Sequence, residues 1–142
     1  MEVNIHVRSK KFNNTTDFAL QEYIKRTRNF CRLSIVFHKP GDKSFGVETK
    51  QKGSCAFFVV PGKSTISSTD FAGLISGLNL NGISRISFYL TTREELTSMS
   101  NVTSSEIFSV SSFDMSKEMT AIVLAEQIYR AYTILNNITY HK

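Results

Sequence analysis

Residues 55–60 read Cys55-Ala56-Phe57-Phe58-Val59-Val60 and end at Pro61-Gly62. Six apolar residues without a polar interruption, closed by a turn pair, form the pattern of a strand covered on both faces, as in a parallel sheet. Working outward, Ser67-Ser68-Thr69-Asp70 cap a helix whose Phe71, Leu74, Ile75 and Leu78 face inward, and Asn81-Gly82 ends it. Gly73 and Gly77 inside that helix look like close-packing positions. Residues 86–90 make another buried strand, residues 91–105 are irregular and hydroxyl-rich, and residues 107–110 offer one more short strand. Toward the start, the polar, lysine-bearing residues 42–53 read as a loop, preceded by a strand at 33–38 that stops at Pro40-Gly41. Val3, Ile5 and Val7 alternate with polar residues, and Asn13 to Asp17 offer caps for a helix carried by Phe18, Leu20, Tyr23, Ile24, Thr27 and Cys31. Strands alternating with helices predict a single α/β domain around a mainly parallel sheet. In such sheets ligands bind beyond the carboxyl ends of strands, which nominates the segments after Val60, Leu90 and Val110.

The last helix is the most apolar. In MTAIVLAEQIYRAYTIL, residues 119–135, Ala121, Leu124, Ala125, Ile128, Tyr132 and Leu135 follow helical spacing and form one buried stripe. Met119, Ile122, Val123 and Tyr129 make a second apolar face, so the helix is either buried deep in its own core or shared between its sheet and a second subunit. Glu126 and Arg130 stand at i, i+4 with the acid first, the favoured order for a helical ion pair. The alternative is that Arg130 holds a phosphate or the chain's own terminus, because guanidinium is a planar fork of donors, and spacing alone does not decide between these.

The 142 residues suffice for one core. At 41% hydrophobic and 20% charged, this is an ordinary globular composition. No apolar run approaches the roughly 18–20 residues of a membrane span and MEVNIHVRSKK has no signal-like apolar region, so a cytoplasmic protein without a membrane partner is expected. Cys31 and Cys55 lack CxxC spacing and read as reduced core thiols. Seventeen Lys and Arg against 12 acids give +5, which favours a polyanionic partner. The basic residues gather in the first half, at Arg8, Lys10, Lys11, Lys25, Arg26, Arg28, Arg32, Lys39, Lys43, Lys50, Lys52 and Lys63. Residues 25–28 fit either a solvated helix face or a phosphate contact.

Several chemistries are missing from the pattern. His6, His38 and His141 are scattered without ligand spacing, so no metal is expected. There is no GxSxG, P-loop or GxGxxG. His6 reads as a structural strand histidine, whereas His141 sits on a polar tail with no packing duty evident from sequence.

The segment AEQIYRAYTILNNITYHK at 125–142, with EYIKR at 22–26, Gly62-Lys63 and SSTDFA at 67–72, resembles the bacterial large-subunit ribosomal RNA pseudouridine methyltransferases of the RlmH type, in the SPOUT superfamily. The resemblance spans nearly the whole chain, with a shorter loop near 40–53. It implies a SPOUT-like α/β domain over 1–142 with a C-terminal trefoil knot, a homodimer joined through the last helix, and S-adenosylmethionine as cofactor. It also implies a pseudouridine of ribosomal RNA as target. By the same resemblance Phe58 stands where an apolar residue meets the adenine, and Thr91 where a glycine contacts the cofactor. Val110, Ser111, Ser112, Phe113, Asp114 and Met115 correspond to the loop that wraps it. Arg130, Tyr140 and His141 take substrate-side positions as the catalytic candidates, with the tail of one subunit meeting the cofactor of the other. The family's glycine-rich signature is replaced here by Thr91-Thr92-Arg93-Glu94-Glu95, a Pro-His pair by Ser116-Lys117, and an arginine by Ala121. Three functional readings therefore remain: a methyltransferase, a non-catalytic dimeric RNA-binding or ribosome-binding relative, and a plain structural or assembly dimer without RNA affinity.

Overall fold

The computed structural model describes residues 1–46, 51–62, 65–99 and 102–140; Lys50, Lys63, His141 and Lys142 lie outside them. Five strands, β1 (Glu2–Arg8), β2 (Arg32–His38), β3 (Ser54–Val59), β4 (Arg85–Leu90) and β5 (Ile107–Phe108), form one sheet in the order β2-β1-β4-β3-β5. All four pairings are parallel. The helices are α1 (Asn14–Thr27), α2 (Ser68–Leu80), α3 (Arg93–Ser98) and α4 (Lys117–Leu135).

Register sets the two faces. Val3 pairs with Leu33 and Ile86, Ile5 with Ile35 and Phe88, and Phe57 with Phe88, so one apolar row runs across the sheet. On that row α4 packs between α1 and α2, burying Ala121, Leu124, Ala125, Ile128, Ala131 and Tyr132. The crossovers through α1 and α2 both step the same way along the sheet, so a right-handed connection puts both helices on this face. The connections from β2 to β3 and from β4 to β5 step the other way. Their residues accordingly cover the opposite face, where Phe45, Leu96, Met99 and Val102 close over Ala56, Phe58 and Tyr89. The run at 55–60 is thus covered on both sides as expected, by helices on one and by a loop and α3 on the other. Gly46, at φ +80°, lets that loop descend; a Cβ there would stand 3.0 Å from the Phe58 ring.

Several boundaries differ from the sequence reading. Helix α1 stops at Thr27, whose hydroxyl turns back to the Tyr23 carbonyl, and Phe18 is 70% exposed rather than inward. Residues 91–105 are not wholly irregular: α3 forms there, followed by a single 3₁₀ turn at Ser104–Glu106. The last strand shrinks to Ile107–Phe108, extended by one bridge from Thr65 to Ser109. Leu135 falls off the α4 stripe into solvent. Gly73 and Gly77 are not close-packing positions, since a Cβ on either would meet nothing within 4 Å.

Both cysteines are free, and burial pushes the Cys31 thiol up to about 11, which keeps it protonated and unreactive. Among the described residues no helix is long and apolar enough to cross a membrane, and no cluster of three His, Cys, Asp or Glu could hold a metal ion.

Candidate functional site

The carboxyl ends of β3, β4 and β5 meet side by side, and their outgoing segments leave a cavity of about 270 Å³ between them. Parallel strands end together, so a crevice at this edge follows from topology alone. The segments are laced by hydrogen bonds. The Val60 N–H reaches the Phe108 carbonyl at 3.2 Å, the Gly62 N–H reaches the Ser111 carbonyl at 3.2 Å, and the Ser109 hydroxyl donates to the Val60 carbonyl at 2.5 Å. A Cβ at Gly62 would stand 3.1 Å from the Ser109 oxygen, so a larger residue there requires that hydroxyl to shift.

Six sequence candidates bear on this cavity as its walls: Thr91, Val110, Ser111, Phe113, Asp114 and Met115. Thr91 is buried, and both its N–H and its hydroxyl are given to the Val59 carbonyl, at 2.9 and 3.1 Å. It therefore welds β4 to β3 and has no donor left for a ligand. Ser112 is exposed and outside the lining. Phe58 is not at the cavity either: alternation turns it to the opposite face, stacked on Tyr89 at 5.5 Å.

Arg93, Glu94 and Lys117, which the sequence marks only as departures from the family pattern, line the cavity, as does Thr120, which carries no sequence signal. Arg93 joins two of its walls, with Nε donating to the Pro61 carbonyl at 3.2 Å and Nη1 facing Asp114 at 3.4 Å. Lys117, the first residue of α4, pairs with Glu95 at 3.0 Å, and Glu95 also takes Arg8 at 3.2 Å. The two segments that depart most from the family pattern, 91–95 and 116–117, are thus in direct contact.

The other candidates gather elsewhere. Asn137, at φ 54°, reverses the chain after α4, and the Ile138 N–H bonds back to the Thr133 carbonyl at 2.9 Å, a left-handed helix end. That turn brings Tyr140 onto α4. Its hydroxyl donates to Glu126 at 3.0 Å, its ring meets Tyr129 at 5.4 Å, and the Arg130 guanidinium sits 4.9 Å over it. Arg130 donates to the same Glu126 oxygen at 2.8 Å, while its buried Nε has no partner among the described residues. Burial, with the Glu126 carboxylate behind it, raises the Tyr140 pKa, so this phenol stays a neutral donor. The expected i, i+4 pair therefore exists as the base of a three-residue cluster. Thr120 and Arg130 stand ten positions apart, about 15 Å along the helix, so one chain does not bring cluster and cavity together.

Residues 1–141 match the family described as Predicted SPOUT methyltransferase. The chain belongs to the SPOUT methyltransferase family. It is 28% identical over 142 residues, 100% of both chains, to a protein of Thermoanaerobacter sp. (strain X514) named Ribosomal RNA large subunit methyltransferase H 1. It is 31% identical over 146 residues to Ribosomal RNA large subunit methyltransferase H of Clostridium botulinum (strain Langeland), covering 87% of this chain and 89% of that one. A protein of the same name from Chromobacterium violaceum is 28% identical over 156 residues, covering 100% of this chain and 99% of its own. Within a SPOUT chain, a crevice walled by the segments after three parallel strands is the natural place to seek a ligand.

Proposed function

We propose that this chain is an S-adenosylmethionine-dependent methyltransferase that acts in the cytoplasm on a pseudouridine of large-subunit ribosomal RNA. The observation that carries the reading is the cavity walled by residues 91–94, 110–111 and 113–115, in a chain that runs full length with relatives named for ribosomal RNA methylation. The donor set fits the cofactor. Val60, Leu90, Val110 and Met115 supply apolar surface for an adenine, and Glu94 and Lys117 supply charge for a ribose and an amino-acid end. When bound, the cofactor supplies an electrophilic methyl group.

The chain's own residues would do the rest. N-methylation of a uracil-type imide needs its proton removed and the nitrogen held in line, so positioning carries much of the rate. Tyr140, kept neutral by Glu126, is suited to donate a hydrogen bond and not to take a proton. Arg130 offers a cation to RNA. His141 is the group on this tail whose ordinary pKa suits a base at neutral pH. The separation along α4 supports a homodimer, in which the tail of one subunit serves the cavity of the other. Met119, 49% exposed, and Ile138, 47% exposed, leave apolar surface on and just past α4 for that seam. The knotted C-terminal path of the family belongs to the same proposal, supported by the lacing of residues 60–62 to 108–111.

A second reading, a dimeric RNA-binding relative without catalysis, draws on Thr91, which offers no free donor where the family has glycine. Titration calorimetry separates the two. The enzyme reading expects saturable heat with S-adenosylmethionine at micromolar to low millimolar concentration. No heat at millimolar cofactor, with salt-dependent ribosome binding intact, contradicts it in favour of the second.

A further inference from the structure

We infer that Lys117 receives the carboxylate of the methionine end of S-adenosylmethionine, and that Glu95, braced by Arg8, holds Lys117 in place for it; this rests on the cofactor reading above. The charges at the cavity lead there by elimination. Arg93 and Asp114 face each other at 3.4 Å and offset one another. Glu95 accepts from Arg8 on one oxygen at 3.2 Å and from Lys117 on the other at 3.0 Å. One carboxylate shared between two cations leaves a surplus positive charge beside the cavity. Glu94 lines the same cavity with no ion pair among the described residues. Among the described residues the cavity thus offers one cation only half-compensated by a shared carboxylate and one carboxylate without an ion pair, the complement of an α-amino acid's carboxylate and ammonium.

The position of Lys117 strengthens the point. A cation on the first residue of a 19-residue helix opposes the helix dipole, so helix stability does not explain it. Ser116 already caps the Met119 N–H at 3.1 Å, and an anionic group placed beside it would meet the ammonium and the positive end of the helix dipole. Glu95 in turn is fixed on its own helix, its N–H given to the Thr92 hydroxyl at 3.1 Å, while Arg8 is packed 4.7 Å over the Phe45 ring. Lys117 is therefore held from behind by groups anchored on β1 and α3.

The test compares S-adenosylmethionine with its decarboxylated form, by calorimetry, on the full chain and on Lys117→Gln, Lys117→Arg and Glu95→Gln. The wild type should prefer the carboxylated ligand by about tenfold, the scale of one charge-assisted contact. Lys117→Gln should erase that preference while leaving the affinity for the decarboxylated ligand within about threefold, and Lys117→Arg should keep most of it. Glu95→Gln should weaken the preference without abolishing it. Unchanged thermal unfolding midpoints exclude misfolding. A preference that survives Lys117→Gln, or an equal loss for both ligands, overturns this assignment and leaves the cofactor reading standing. Failure of the wild type to bind either ligand overturns both.

Discussion

His6 and Glu126 behave differently as single residues, and both are testable. His6 Nδ1 lies 2.8 Å from His38 Nε2, its ring stacks on Tyr89 at 4.4 Å, and its buried Nε2 has no hydrogen-bond partner among the described residues. Burial, and secondarily His38, lowers its pKa from 6.5 to about 4. The unfolded chain therefore takes up this proton more readily than the folded one. The stability tied to neutral His6 is complete above pH 6.5 and is lost as pH falls from 6.5 through about 4. Discounted for solvent near the ring, the loss should be about 1–2 kcal/mol. Urea titrations across that window should show a steeper decline for wild type than for His6→Gln; parallel curves would contradict the assignment. Asp42, which faces His38 at 3.2 Å, is held down to about 2 chiefly by Ser44, so its contribution falls away only below pH 3.8 and does not overlap. Glu126 acts through its partners. Glu126→Ala leaves the partly buried Arg130 unpaired and frees Tyr140, and should cost about 1.5–3 kcal/mol by denaturant unfolding. Glu126→Gln should cost less.

At the scale of elements, what the sequence made legible followed periodicity, and what it hid depended on local chemistry or distant packing. The alternation Val3, Ile5, Val7 and the run at 55–60 marked strands correctly, because side-chain period is a local property. Helix α3 was missed although Thr92-Arg93-Glu94-Glu95 is a Ser/Thr-x-x-Glu capping pattern, and Thr92 does cap Glu95. Its six residues are too few to show a helical period. The resemblance places Phe58 at the cofactor, whereas alternation with Phe57 and Val59 sets it on the face of the sheet away from the cavity. Lys117 carried no motif; its role depends on Glu95 and Arg8, which are far away in sequence. Thr92→Ala should lower the stability of α3 by about 1 kcal/mol, seen as faster amide exchange at Glu95 and Leu96 with exchange in α4 unchanged. In α4, Ile128→Ala empties a fully buried position and should destabilise the whole domain by about 2–5 kcal/mol.

For the whole molecule, the sheet edge supplies a cavity and the far end of α4 supplies an Arg, a Tyr and a tail, with three helical turns between them. The function proposed above then needs two copies for a working site. The proposal expects a dimer in sedimentation, with Ile138→Asp shifting it toward monomer and lowering transfer in parallel. Mixing a cavity variant, Lys117→Glu, with a tail variant, Tyr140→Phe, and allowing subunits to exchange should recover activity that neither variant shows alone. The most direct measurement is transfer of labelled methyl from S-adenosylmethionine to large ribosomal subunits that lack the modification, followed by mapping of the labelled nucleotide. The account predicts incorporation near one methyl per particle, at a pseudouridine. Folded, dimeric protein that binds ribosomes but incorporates no label would contradict it.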